Sequence, residues 1–412
     1  MADNGVVAAG GWLADQISLG VLAASVPRDV VDDAVAAAGR QARRRDGKLP
    51  PHVMVYFAMA MALFADGDYE EVAARLAGTL GSWGCWDPSW LVPTSGGITQ
   101  ARQRLGWEPL ADLFARVAVP AASEVTAGAF LGRWRLMAVD GTEWDVPDTA
   151  ANAAAFGRRR GGNDAEGAFP KARLVSISEC GSHAMVAAAI GGKGTGEQAL
   201  ARQLYPELEQ DWLLIADRNF YSWADWAAAA GTGAALLWRV KSSLLLPVLQ
   251  ELPDGSYLSV LINPAIDSRS RERDRLAEAA RAGRDLDPDR ARPVRVIQYQ
   301  AGDDGERVIL VTTITGPAQA SAADLAAAYY QRWEHETGNG QLKTALRGPG
   351  RVLRSKSPDM VRQEIYGYLL THYAVSALIC AAAGEAGIDP DRVRFTRTLR
   401  IIRRHATAAF PP

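Results

Sequence analysis

Cysteine and histidine are both scarce in this chain, with 3 of the first and 5 of the second among 412 residues. Cys85, Cys180 and Cys380 are too widely separated for a disulfide framework or a zinc pattern, and a reducing compartment is the simplest inference. The histidines make neither an HxxxH nor an HExxH pattern, so zinc chemistry is not expected. Long apolar runs are also missing. The stretch Val-Met-Val-Tyr-Phe-Ala-Met-Ala-Met-Ala-Leu-Phe at 53–64 is too short to span a bilayer and reads as a buried helix, so no membrane partner is expected. The start, Met-Ala-Asp-Asn-Gly, has no basic region ahead of an apolar segment. That argues against secretion and for the cytoplasm. Net charge is nearly absent too, at −2, which by itself argues weakly against a nucleic-acid partner.

What is present points the other way. Hydrophobic residues make up 48% and charged residues 22%, enough for two or three globular domains. The charge is unevenly spread. From Tyr329 to Tyr373 there are seven Arg or Lys against four Asp or Glu, and from Arg392 to His405 six arginines and no acid. A near-neutral total therefore hides a basic working face.

The pattern along the chain predicts an α/β protein with helical ends. Residues 1–125 read as a helical N-terminal domain: two helices before residue 40, then helices over 52–64, 69–80, 98–105 and 109–119, with a rigid Trp/Pro/Gly loop around 83–97. Ile-Thr-Gln-Ala-Arg-Gln-Arg-Leu-Gly at 98–106, with Arg102 and Arg104, reads equally well as a DNA-recognition helix or as an ordinary solvated face. Over 126–241 strands and helices alternate. Three consecutive strands, over 134–141, 172–180 and 183–192, precede helix, strand, helix and strand. This order resembles a ribonuclease-H-like core with a mixed five-stranded sheet. The Gly-rich segment 156–170 between the first two strands reads as a polar loop. Residues 242–315 read as a mostly β insertion with Asp-Gly turns at 254–255 and 304–305 and a charged excursion between. Residues 316–350 return to the core with a helix that a Ser321–Asp324 capping box opens and that is expected to run toward Leu346. Residues 351–412 form a helical C-terminal region, with a long helix over 358–384. Its last segment, Phe-Thr-Arg-Thr-Leu-Arg-Ile-Ile-Arg-Arg-His, suits a DNA-facing or partner-facing helix.

Three acids stand out on this frame. Asp140 and Asp217 each end a short apolar strand, and Glu336 lies on the helix after Ser321. Around Glu336, Tyr329, Arg332 and Lys343 fall at offsets of 0, 3 and 14 with Glu336 at 7. At about 100° per residue these four make a stripe roughly 60° wide on one helix. Three separated carboxylates offer hard oxygen donors of the kind magnesium prefers, with manganese as a substitute. Beside a row of cations they suit two-metal phosphoryl transfer on a nucleic-acid backbone. Taken singly, a strand-end aspartate is more often a turn residue, and Arg332–Glu336 more often a plain i,i+4 pair. The constellation is what points to chemistry.

The motif Tyr329-x2-Arg332-x3-Glu336-x6-Lys343 resembles, at every fixed position, the signature of bacterial insertion-sequence DDE transposases of the IS4 family. Asp140-Gly141-Thr142 and Asp217-Arg218-Asn219-Phe220 are similar to the segments holding that family's first and second acids, in the same order. The likeness spans roughly residues 15–405. It implies that Asp140, Asp217 and Glu336 hold Mg2+ or Mn2+ and that Tyr329, Arg332 and Lys343 position a DNA end. It implies cleavage at terminal inverted repeats and joining of 3′-hydroxyl ends to target DNA, in a synaptic complex that is a homodimer. Trp333, Trp238 or Tyr257 is then a candidate for stacking on a displaced base. Arg347, Arg351, Arg354 and Lys356 are candidates for tracking the duplex phosphates. Two alternatives share the fold: a domesticated metal-dependent endonuclease that cuts without joining, and a catalytically silent DNA-binding derivative.

Overall fold

The computed structural model describes residues 20–42, 49–82, 92–160, 166–267, 270–301 and 305–405. The loop expected at 83–97 lies outside them as far as residue 91, as do Cys85 and the start of the first N-terminal helix, whose described part is a 3-10 helix, Gly20–Ala24. Described helices are α1 (Arg28–Ala37), α2 (Pro51–Leu63), α3 (Tyr69–Ser82), α4 (Ser95–Leu105), α5 (Glu108–Val117), α6 (Ala150–Phe156), α7 (Glu197–Leu204), α8 (Trp223–Ala230), α9 (Arg271–Arg281), α10 (Ala322–Tyr330), α11 (Arg332–Gly340), α12 (Pro358–Ala386) and α13 (Phe395–His405). The strands are β1 (Phe130–Leu131), β2 (Trp134–Asp145), β3 (Arg158–Arg160), β4 (Glu166–Glu179), β5 (Met185–Gly191), β6 (Trp212–Ala216), β7 (Ala235–Arg239), β8 (Gln250–Glu251), β9 (Tyr257–Ile262), β10 (Ala291–Ala301) and β11 (Glu306–Thr312). Two compact units result: Met1–Ala118 with Gln341–Ile379 and Val393–Pro412, and Val119–Gly340 with Cys380–Arg392.

The first unit is helical. Pro51 at the first turn starts α2, and every residue from His52 to Leu63 is buried, so the helix has no solvent face. Its crossing with α12 is close: a Cβ on Gly367 would sit 2.5 Å from the Ala58 carbonyl oxygen. The Thr371 hydroxyl donates to the Met59 carbonyl at 3.1 Å beside it. α12 corrects one expectation. It is long and apolar enough to cross a membrane by composition, but 78% of that window is buried inside the fold, as in a core helix. The sequence hid this because polar residues such as Gln363, Glu364 and His372 interrupt the run, and all three are buried with partners.

The second unit is a single mixed sheet in the order β3-β4-β2-β6-β7-β11-β10-β9-β8, with β5 on β4 and β1 on β2. Its centre is β5-β4-β2-β6-β7, where β5, β2, β6 and β7 run in one direction and β4 runs against them. That is the ribonuclease-H-like arrangement. The segment 242–315 is β-rich as expected, and its strands extend the same sheet, because β11 pairs antiparallel with β7. Gly255, at φ 79°, makes the turn that returns β8 to β9. The segment 156–170 differs from the polar loop expected there. Its described ends are β3 and the start of β4, paired with Arg158 opposite Pro170, and Arg158 is ion-paired to Asp148.

Alternation along the parallel strands sorts side chains to two faces. Met137, Val139, Leu214, Ala216, Leu236 and Trp238 pack with Leu200 of α7 and Trp226 of α8. Leu136, Ala138, Leu213, Ile215 and Leu237 pack with Leu325, Ala328 and Tyr329 of α10. Burying each large side chain contributes about 1.5–3 kcal/mol, so both layers fix the strand register firmly.

Candidate active site

The register puts the two aspartates side by side. Val139 of β2 stands beside Ala216 of β6, so Asp140 and Asp217 are the next residues on neighbouring parallel strands. Adjacent strands lie about 4.8 Å apart. Asp140 follows the even positions Leu136 and Ala138, and Asp217 the odd positions Leu213 and Ile215, so both belong to the face that α10 covers.

The Ser321–Asp324 capping box is present and opens α10. The long helix expected to follow is divided. The Gln331 N–H bonds back to Ala328 and the Glu334 N–H to Gln331, each 3.0 Å, a tightened turn that separates α10 from α11. After Gly340 the chain loosens into a π-helical segment, Gln341–Leu346. A uniform 100° step therefore does not carry through to Lys343, which is half-buried in that segment within the first unit. Arg332 and Glu336 keep their predicted relation. The Arg332 guanidinium donates to the Glu336 carboxylate at 2.8 Å, with Arg332 13% and Glu336 39% exposed. The same guanidinium lies 5.9 Å from the Tyr329 ring centre and 5.3 Å from that of Trp333. Trp333 is 51% exposed.

The electrostatics tie these residues together. Burial pushes the Asp140 carboxyl up to about 6, against the Gly141 amide, which donates to it at 2.8 Å, and the Arg332 charge. Glu336 and Glu197 push it further in the same direction. Burial likewise raises the Tyr329 phenol to about 12, with Arg332, Asp217 and Arg239 as charged neighbours. Arg332 thus feels Asp217 and Glu336 and acts on Asp140. The donor set is all carboxylate oxygen, with more negative charge than Arg332 offsets, and it fits a hard divalent cation.

Sequence reasoning passed over three features. Arg239 follows Trp238, which stands beside Ala216, so it is level with Asp217. It is 16% exposed and ion-paired with Glu306, whose carboxylate is also 3.7 Å from Arg218. Glu197 starts α7 and closes on Gly141: a Cβ there would meet its carboxylate oxygen at 2.9 Å. The third corrects the expectation that histidine forms no metal-competent cluster. The His183 Nε2 lies 2.9 Å from Glu334 and 3.2 Å from Asp391, and these three ligand atoms, all within 4.8 Å of one another, could coordinate a divalent metal. They come from 183, 334 and 391, a spacing no short motif reveals. His183 is also the one non-glycine residue with positive φ, 58°, among those described.

Other predicted DNA contacts are committed elsewhere. Arg102 is fully buried, donating to Gln363 at 2.7 Å, Ser355 at 3.0 Å and the Met360 carbonyl at 3.3 Å, so it is a core fastener and no DNA-reading residue. Arg347 is buried as well. Arg354 donates to the Gly67 and Met61 carbonyls, both at 2.6 Å, and Arg351 to the Ala65 carbonyl and to Asp66. Arg104 and Lys356 are exposed. Trp238 is fully buried against Trp226, which removes it as a stacking platform.

A ribonuclease-H-like sheet that sets Asp140, within β2, level with Asp217, at the end of β6, is a transposase-like catalytic fold. The comparisons then specify the family. Residues 134–373 match the family described as Transposase DDE domain, and 16–115 that described as Insertion element 4 transposase N-terminal. The chain belongs to the DDE-type transposases of the IS4 family. It is 26% identical over 364 residues to Transposase InsG for insertion sequence element IS4 of Escherichia coli (strain K12), covering 87% of this chain and 77% of that one. It is 28% identical over 125 residues to Putative transposase InsZ of the same organism, covering 30% of this chain and only 42% of that relative. A cryo-EM structure of piggyBac transposase synaptic complex with hairpin DNA aligns over 94% of this chain and 79% of that one, at TM-score 0.48 and 11% identity.

Proposed function

We propose that this protein is a working cut-and-paste transposase: it binds terminal inverted repeats, cleaves the element ends and joins the freed 3′-hydroxyls to target DNA. The observation that carries the reading is the placement of Asp140 and Asp217 level on adjacent parallel strands, on the face where Arg332 holds Glu336. Asp140, Asp217 and Glu336 would hold two Mg2+ or Mn2+ ions, which supply activation of the attacking oxygen and stabilisation of the leaving one. The chain's own residues do the positioning. Arg332 sits where it can take a DNA phosphate when Glu336 turns to its cation, and Tyr329 backs it with a buried ring. Trp333, exposed beside it, can stack on an unpaired terminal base. Lys343 and the exposed Arg104 and Lys356 are the remaining candidates for backbone contacts, which give salt dependence rather than sequence reading. Joining two ends calls for a homodimer in the synaptic complex, working in the bacterial cytoplasm on nucleoid DNA.

The test is cleavage of supercoiled plasmid carrying the flanking inverted repeats, with Mg2+ or Mn2+, by the intact protein and by Glu336→Gln. Metal-dependent cuts at the repeat ends, lost in the variant, are expected. Equal cutting by both proteins would remove Glu336 from the mechanism. Cuts without 3′-hydroxyl strand transfer would reduce the protein to an endonuclease.

A further inference from the structure

The residue before Glu336 is a histidine with no exposed surface. His335 lies on the opposite side of α11 from solvent, toward β2 and β4, against which α11 packs. Its Nδ1 is hydrogen-bonded to the Ser178 hydroxyl, and its Nε2 reaches the Ser176 hydroxyl at 3.4 Å. A ring N–H also donates to the Ala138 carbonyl. In the β2–β4 ladder Ser176 stands directly opposite Asp140 and Ser178 opposite Ala138. One imidazole thus joins the strand that carries the first acid, its antiparallel neighbour and the helix that carries the third.

We propose that His335 is a positioning residue for the acid triad, a polar pin from α11 to Ser176, Ser178 and Ala138 that sets where Glu336 stands relative to Asp140. The physical need is clear from the local structure. α11 is nine residues long, bounded by the tightened turn at Gln331 and the π-helical segment after Gly340. Gly338, which faces His183 and Met185 with only ordinary contacts, adds no side-chain grip. Apolar packing alone is non-directional and would let so short a helix roll or slide by a fraction of a turn. Bonds to two hydroxyls two residues apart on one strand, and to a third group on the next, fix both rotation and height. A carboxylate that must share cations with Asp140 and Asp217 tolerates little of either motion.

This inference rests on the triad reading above, and Mn2+ binding to the DNA-free protein tests it without relying on cleavage. Mn2+ titration followed by electron paramagnetic resonance would compare the intact full-length chain with His335→Leu, His335→Asn and the double variant Ser176→Ala/Ser178→Ala. Thermal melting would verify folding, and Glu336→Gln would mark the triad's signal. His335→Leu, which keeps the volume and loses the bonds, should raise half-saturating Mn2+ at least about 10-fold, with His335→Asn recovering part of the loss. The double serine variant should shift in the same direction, and it stands in should the leucine fail to fold. Faster hydrogen exchange confined to α11 should accompany both. Unchanged Mn2+ half-saturation in a folded His335→Leu, or in the serine variant, would overturn the pin. Normal Mn2+ behaviour with no DNA cleavage by the intact protein would overturn the transposase reading and leave the pin standing.

Discussion

The Arg332 guanidinium holds the Glu336 carboxylate one turn along α11, Nη1 to Oε1 at 2.8 Å. As an isolated surface pair this contact would contribute only about 0.3–0.5 kcal/mol. Its importance lies in competition. Arg332 is the positive partner of Glu336; were Glu336 to hold a cation as proposed, the carboxylate would turn to it and leave the guanidinium available to a phosphate. Arg332→Ala should therefore bind Mn2+ at least as tightly as the intact protein while losing end cleavage by about 100-fold or more. Parallel Mn2+ titration and cleavage assays check it. A large fall in Mn2+ affinity would make Arg332 a support for the metal site instead.

Asp140 destabilises the metal-free fold at neutral pH. Its native carboxyl sits at about 6 because of burial, above its ordinary value of 3.8. The native state therefore binds more protons than the unfolded chain between those values, and stability falls as pH rises through that window. The contribution is fully present below about 3.8 and gone above about 6. It amounts to about 1–3 kcal/mol at roughly 1.4 kcal/mol per unit. Asp140→Asn should raise the melting temperature in EDTA at pH 8 and flatten this part of the pH profile. Adding Mn2+ should stabilise the intact protein and leave the variant nearly unchanged.

Much of this site can be read in the sequence because its information is local. The apolar run closed by Asp217 identifies a strand end, whereas the one before Asp140 does not, because pairing with β4 carries β2 on to Asp145. Arg332–Glu336 is an i,i+4 relation that a single turn preserves. Ser321 and Asp324 announce the helix start through chemistry contained in four residues. What escapes is non-local. Arg239 is level with Asp217 only through strand pairing, and His183, Glu334 and Asp391 meet only in the folded chain. Lys343 is misplaced when a helical period is extrapolated across Gln331 and Gly340, where the backbone tightens and then loosens. Arg102 shows the reverse error: a guanidinium on an amphipathic helix looks like a surface group until Gln363 and Ser355 arrive from far along the chain.

Glu306 occupies Arg239 and Arg218 with its own carboxylate. At 57% exposed it is accessible to displacement. A DNA phosphate approaching Asp217 would have to compete with it for both arginines. Glu306→Gln should therefore bind duplex ends about 3- to 10-fold tighter at low salt. The slope of log affinity against log salt should steepen by about 1–2, as one or two further phosphates are neutralised. Fluorescence anisotropy across a salt series measures both. Weaker binding by the variant would mean that Glu306 orders the two arginines for DNA instead of withholding them.

His183 gives the second unit a basic limit. Burial alone would pull its imidazole down, but bonds to Asp391 and Glu334 override burial and lift it to about 9 from an ordinary 6.5. A raised histidine binds its proton more tightly in the native state. Its contribution is complete below about 6.5, shrinks as pH climbs, and is lost once pH passes about 9. Its backbone lies in the left-handed region, at φ 58°. His183→Gln should consequently cost about 1–3 kcal/mol in urea unfolding at pH 6 in EDTA, with the difference from the intact protein closing by pH 10. A difference that stays constant across that range would assign His183 to packing and not to its two ion pairs. Divalent cations offer a second reading of the same cluster. Zn2+ that raises the melting point of the intact protein, and not of His183→Gln, would show the three ligand atoms exchanging a proton for a metal.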